Sequence, residues 1–290
     1  MPELPEVETV RRGLAPYLDG AQCHGVTCRR GGLRYPFPHD INARLTGARV
    51  QDVGRRGKYL CLGFDNRLTM IVHLGMSGAL RLHLPGEREN ADAAAGVHDH
   101  FLVHFADGAV MVLNDPRRFG MVYLTPSREL AQHPAFMGMG PEPLDQAFTP
   151  DILGARLGNH SAPIKNILLD QRVVAGLGNI YVCEALYEAG IHPRRPGNSL
   201  DAADCQALHA AIVNVLGRAI EAGGTSLRDH RRIDGTLGYF QHQFRVYQRA
   251  DEVCGYCREA NPDCDNRATG AIVYERLAGR ATYYCPGHQK

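Results

Sequence analysis

The sequence lacks any apolar run approaching the ~20 residues that a membrane-spanning helix needs. Its first ten residues, MPELPEVETV, hold three glutamates, two prolines and no basic residue. A secretory leader has a positive start and then an apolar stretch, so this opening is not one, and the expected location is the bacterial cytoplasm. Net charge is nearly absent as well, at +1, so bulk electrostatics does not announce a nucleic-acid partner.

A chain of 290 residues with 44% hydrophobic and 22% charged residues reads as soluble and globular, with room for two domains. Basic residues are locally dense. Arg55, Arg56 and Lys58 cluster, Arg117 and Arg118 are adjacent, and Arg228, Arg231, Arg232, Arg245 and Arg249 face only Asp229 and Asp234 within 226–249. Composition alone favours an ordinary mixed surface over a basic face. Cys23, Cys28, Cys61, Cys183 and Cys205 are scattered, whereas Cys254, Cys257, Cys264 and Cys285 share the last 37 residues. In a cytosolic protein such clustering argues for metal rather than disulfides.

A helix is expected after Pro5, with ETVRRGL as its body. ARVQDV, KYLCLGF, RLTMIVHL, ALRLHL, FLVHFA, AVMVLN and MVYLT then read as short strands of a sandwich or barrel. HPAFMGMGPEPLDQ is rich in glycine and proline and reads as a linker. Beyond it ILGARL, APIKNILLDQ, NIYVCEALYEAG and DCQALHAAIVNVLGRAIEAG place apolar residues three and four apart, as helices do. The expected organisation is a β domain over 1–132, a linker over 133–148, a helical domain over 149–250 and a metal-bearing tail over 251–290.

In the tail, Cys254 and Cys257 form C-x2-C, and Cys285 and His288 form C-x2-H, with 27 residues between the pairs. Two such pairs can surround Zn²⁺ tetrahedrally and staple a segment too short to build its own core. Cys264 competes with His288 for the fourth position. Between the pairs, AIVYERLAGRATYYC reads as two strands joined by LAG, a zinc-bound hairpin.

PELPEVETVRRGL, GRRGKYL, HLGMSG, DPRRFG, GPEPL, AGLGNIYVCEAL, GYFQHQFRVYQR and GRATYYC follow one another along nearly the whole chain. Together they resemble the formamidopyrimidine-DNA glycosylase (Fpg/Nei) family. The resemblance implies an α+β, two-domain fold: a β-sandwich with a leading helix, a helical domain with a helix–two-turn–helix, and a zinc-finger hairpin. It implies a monomer that binds double-stranded DNA between the domains, excises oxidised purines such as 8-oxoguanine and formamidopyrimidines, and cuts the strand by β,δ-elimination. The start of the chain suits that chemistry. Loss of Met1 would expose Pro2 as a secondary amine, and an α-amino group with a pKa of ~8 is partly neutral near pH 7. Attack on a sugar carbon yields a permanently cationic iminium, a good electron sink.

The resemblance makes Glu3 the proton donor; Glu6 lies one helical turn away, and Glu8 reads as solvated surface. It makes Lys58, His73, Asn179 and Arg280 contacts to phosphate, with Lys58 and Arg280 also acids in elimination. Met76, Arg117 and Phe119 become the residues that fill the gap left by a flipped base. His98, His160 and Lys165 become further DNA contacts, and Thr225 to Tyr239, with Gly235 and Gly238, a loop over the extruded purine. Two departures stand out. CPGHQK supplies His288 where a fourth cysteine is usual, so Cys254, Cys257, Cys285 and His288 are the preferred zinc ligands. Asn159 and His160 replace commonly basic residues. Two rivals are the endonuclease VIII-like branch, against which PELPE argues because its members begin PEGPE, and a zinc-bearing DNA-binding protein without catalysis.

Overall fold

The computed structural model describes residues 2–86, 96–226, 236–260 and 270–290. It divides into two compact units, Met1–Met137 with Ile220–Tyr239, and Gly138–Ala219 with Phe240–Lys290.

The first unit opens with α1 (Leu4–Leu18). Pro5 sits in its first turn, where a missing N–H is tolerated, and the Glu6 carboxylate reaches back to the Glu3 N–H at 2.7 Å. Val7, Val10, Leu14 and Leu18 recur at helical spacing and are buried in the core. Eight strands follow: β1 (Cys23–Cys28), β2 (Val50–Arg56), β3 (Tyr59–Phe64), β4 (Leu68–His73), β5 (Ala79–His83), β6 (Asp99–Phe105), β7 (Val110–Asn114) and β8 (Met121–Pro126). A short helix, α2 (Ile41–Leu45), lies between β1 and β2. The strands form two antiparallel four-stranded sheets in the orders β1-β6-β7-β5 and β2-β3-β4-β8. Leu60, Leu62, Met70 and Val72 of one sheet share a core with Phe101, Val103, Met111 and Leu113 of the other, which makes a sandwich. β2 and β3 pair Arg56 with Tyr59, and β3 and β4 pair Tyr59 with His73. Lys58 therefore occupies a two-residue turn after left-handed Gly57 (φ 55°), not the strand expected of KYLCLGF.

The second unit holds α3 (Pro150–Leu157), α4 (Ile164–Leu168), α5 (Asn179–Glu188), most of α6 (Ala202–Glu221), α7 (Gly255–Ala260) and the hairpin β9 (Val273–Leu277) with β10 (Arg280–Tyr284). Thr149 caps α3 by accepting the Ile152 N–H. The hairpin turns on Ala278 (φ 48°) and Gly279 (φ 75°), two consecutive left-handed residues.

These units differ from the sequence-based boundaries. Residues 133–137 stay with the sandwich, where Phe136 packs edge-on against Tyr59 at 5.4 Å. Gly140 belongs to the second unit and donates to the Gln171 carbonyl. Residues 220–239 join the sandwich unit, where Thr225 N–H donates to Glu6 Oε1 at 2.8 Å. The helices and the tail form one unit.

Candidate active site and nucleic-acid interface

Pro2 and Glu3 are both buried at the start of α1. Glu6 fixes this corner. One oxygen accepts the Glu3 N–H and the other accepts the Thr225 N–H, while Gly224 (φ 80°) lies so close that a Cβ there would come within 3.2 Å of Glu6 Oε1. Lys58 is buried. His73 is held by Tyr59, its ring 4.7 Å away, and its Nδ1 accepts the Gly75 N–H at 3.0 Å. Burial, with the charges of Lys58 and Arg34, lowers its pKa to about 4. His73 is therefore neutral at pH 7, with the proton on Nε2, a hydrogen-bond donor rather than a cation.

Glu8 is not the solvated residue expected. It is buried and binds Arg11, Arg12 and, from β2, Arg55 at 2.9, 2.9 and 3.1 Å. Burial alone would raise its pKa, but the three guanidinium groups outweigh it and lower the value to about 2. Arg55 is thereby committed to an internal ion pair.

Met76 and Phe119 are 44% and 40% exposed, as expected of loop tips. Arg117 is exposed and its guanidinium lies 5.0 Å from the Phe119 ring centre. The two loops touch: Gly75 (φ 65°) lies against the Phe119 carbonyl carbon, where a Cβ would come within 2.4 Å. Behind them Asp115 is fully buried and accepts from Ser77 Oγ at 2.8 Å and Gly120 N at 2.7 Å. His98 is exposed, and its carbonyl accepts the Asp115 N–H.

In the second unit, Asn179 begins α5 and donates from Nδ2 to the Ala281 carbonyl at 2.9 Å. That carbonyl also accepts from Lys165 Nζ at 2.7 Å, and Lys165 donates again to Thr282 Oγ1 at 2.7 Å. Lys165 is 0% exposed, so it does not lie at the surface expected for a DNA contact. Its ammonium is consumed by groups of β10, and it braces the strand that Arg280 opens. Arg280 itself is exposed beside the turn, and His160 is exposed in another loop. Glu184, buried on α5, accepts the backbone N–H groups of Arg245, Val246 and Tyr247.

The Sγ atoms of Cys254, Cys257 and Cys285 lie within 4.8 Å of one another. Around a tetrahedral Zn²⁺ with bonds of ~2.3 Å, sulfurs stand roughly 3.8 Å apart, so the three fit a metal of that kind. His288 stands outside this group: its Nε2 is 2.8 Å from the Tyr187 carbonyl oxygen and its ring stacks on Tyr256 at 4.2 Å. Gln289, 1% exposed, secures the end of the chain by accepting Cys285 N–H and donating to Ile191 O. Cys264 lies outside the described residues.

Comparison with known proteins decides what this assembly is similar to. Residues 1–122 match the formamidopyrimidine-DNA glycosylase N-terminal domain, and residues 139–231 match the formamidopyrimidine-DNA glycosylase H2TH domain. The chain belongs to the formamidopyrimidine-DNA glycosylase family. The formamidopyrimidine-DNA glycosylase of Rhodospirillum rubrum is 49% identical over the full length of both chains, and that of Dinoroseobacter shibae 46%. Among solved structures, a Lactococcus lactis FPG mutant bound to DNA containing Fapy-dG superposes with a TM-score of 0.86 at 34% identity, covering 100% of both chains. MutM (FPG) of Thermus thermophilus gives 0.83 at 34% identity, covering 99% of this chain and 98% of its own.

Membership of this family directs attention to the loop over 225–239, of which 227–235, with Gly235, lie outside the described residues. Its two ends are tied. Gly238 N–H donates to Ser226 Oγ, Tyr239 N–H donates to the Ala222 carbonyl, and a Cβ on Gly238 would strike the Gly224 carbonyl at 2.3 Å. Sequence reasoning assigned no role to Asp115, Ser77, Glu184 or Gln289. The first three lie inside quoted motifs, but their partners are known only from the fold.

Proposed function

We propose that this chain is a bifunctional DNA glycosylase and abasic-site lyase of base excision repair. It excises 8-oxoguanine and formamidopyrimidines from duplex DNA and cuts the strand by β,δ-elimination. The observation that carries this reading is the buried Pro2–Glu3 corner, fixed by Glu6, in a member of a family of which a Lactococcus lactis mutant forms a complex with DNA containing Fapy-dG.

After loss of Met1, the Pro2 nitrogen attacks C1′ of the damaged nucleotide. The N–C1′ bond forms, the base leaves, and Glu3 protonates the ring oxygen as the sugar opens. The resulting iminium acidifies the C2′–H bond, loss of that proton expels the 3′ phosphate, and a second elimination with Arg280 as proton donor expels the 5′ phosphate. Lys58, neutral His73, Asn179 and Arg280 grip the backbone. Met76 and Phe119 occupy the gap left by the flipped base, and Arg117 binds the widowed cytosine. His98 and His160 add outer contacts.

Cys254, Cys257 and Cys285 would hold one structural Zn²⁺. From its place in C-x2-H, His288 would be the preferred fourth ligand, although its ring lies outside the group of three thiols. Cys264 is the rival. The protein acts as a monomer in the bacterial cytoplasm.

Borohydride trapping tests the function. A duplex carrying 8-oxoguanine opposite cytosine should be captured covalently through the N-terminus. Preferential capture of a thymine-glycol duplex would place the chain in the endonuclease VIII-like branch, and binding without capture would leave a non-catalytic DNA-binding protein.

A further inference from the structure

We propose that Asp115 is a positioning residue for lesion recognition: its buried carboxylate latches the loop bearing Met76 to the loop bearing Arg117 and Phe119, so that the three wedge residues act as one body. This deepens the glycosylase reading and rests on it.

Asp115 is 0% exposed, and the ring of His100, a titratable neighbour, interacts with it. A carboxylate buried in that position is held by the donors it collects. Those donors come from both loops. Oδ1 accepts the Ser77 hydroxyl at 2.8 Å, one residue from Met76. Oδ2 accepts the Gly120 N–H at 2.7 Å, one residue from Phe119. Ser77 Oγ in turn accepts the Arg117 N–H at 3.2 Å, so Arg117 is tied to the same point. The Asp115 N–H donates to the His98 carbonyl at 2.9 Å, which adds a fourth expected DNA contact. On the other side of Met76, Gly75 lies against the Phe119 backbone. Each wedge residue is thus fixed by its own neighbours while its side chain stays in solvent.

The arrangement answers a physical need. A side chain entering a base stack must push against stacked bases, and exposed loop tips yield unless their backbones are fixed. A turn held for its own sake would be satisfied by the Gly120 N–H alone. The second oxygen serves only the other loop. Asp115 touches no reacting atom in this scheme, so its effect is on eversion and on reading of the opposite base, not on the chemistry at C1′.

Ser77→Ala removes the link with least disturbance to the fold, and Asp115→Ala removes it entirely. Asp115→Asn is the conservative variant, because the amide can accept from Gly120 while donating to Ser77 Oγ. Excision is measured on an 8-oxoguanine duplex with cytosine or adenine opposite, and lyase activity on an abasic site in a single strand, which leaves no gap to fill. We expect Ser77→Ala to slow duplex excision about tenfold, below the roughly hundredfold that a 1 Å misplacement can cost. It should also alter the cytosine-to-adenine preference and leave single-strand cleavage unchanged, while Asp115→Asn retains more activity than Asp115→Ala. Parent-like duplex excision and preference in Ser77→Ala would overturn the proposal, as would equal losses on duplex and single strand. If Asp115→Ala does not fold, Ser77→Ala and Asp115→Asn still decide. An unsubstituted protein inactive on the duplex refutes the glycosylase reading and the latch with it. An active parent with an unaffected Ser77→Ala refutes the latch alone.

Discussion

The sandwich and the cysteine-bearing hairpin are stabilised in different ways. In the sandwich, aliphatic and phenylalanine side chains from both sheets and α1 form one continuous core. Around the hairpin the core shrinks to Cys183, Tyr187, Val246, Cys254, Ile272 and Cys285, among the described residues. There the fold relies on polar groups placed where apolar ones would otherwise stand: Lys165 on Ala281 and Thr282, Glu184 on three amides, and Gln289 on Cys285 and Ile191. Apolar burial is additive and tolerant, whereas buried polar contacts fail when one partner is lost. The Pro2 corner proposed to react thus sits on the robust scaffold, and Arg280, the proposed phosphate grip, on the conditional one.

The sharpest way to break this comparison is Pro2→Gly. We expect covalent capture to be lost while duplex binding persists, because the nucleophile belongs to the sandwich unit alone. Undiminished capture would remove Pro2 from its role. Next, Cys257→Ser should release zinc and weaken duplex binding, yet leave thermal unfolding of the sandwich core in place. Metal analysis and calorimetry read the two separately. His288→Ala in the same assay should also release zinc, and retention of metal would favour Cys264.

Smaller effects come from within the sandwich. Glu8→Gln removes the carboxylate that neutralises Arg55, whose side chain is only 9% exposed, and should cost roughly 2 kcal/mol of stability near neutral pH in a denaturant titration. Because the folded pKa of Glu8 lies near 2, below its ordinary 4.5, its contribution is present above pH 4.5 and fades as pH falls towards 2. The glutamine variant should flatten that part of the profile. His73 acts in a higher window. Its folded pKa of about 4 lies below the ordinary 6.5, so the unfolded chain binds more protons between those values and stability rises with pH across them. His73→Gln should flatten that slope and leave stability above pH 7 little changed.

Much of the fold was legible because periodicity reports burial directly. Nine strands and five helices lie where the sequence pattern put them, and the family motifs marked the residues now found at the Pro2 corner and the two loop tips. β1, with CHGVTC, was not legible: it mixes polar and apolar residues without clean alternation. α2 and α7 are too short for a period to register. The site residues misjudged share one cause. Glu8 has local partners at i+3 and i+4, Arg11 and Arg12, but its burial under Arg55 of β2 was hidden, and the acceptors of Lys165 lie more than a hundred residues onward. A charge's environment is set by tertiary partners, which spacing along the chain does not encode.

The chain leaves the first unit after Met137 and revisits it from Ile220 to Tyr239 before departing again. A stop codon after Met137 would therefore spare every strand of the sandwich yet strip Glu6 of the Thr225 amide that engages its second oxygen. Anyone wishing to study the Pro2–Glu3 corner in isolation must graft that later stretch back on, because no single cut of the gene yields it whole.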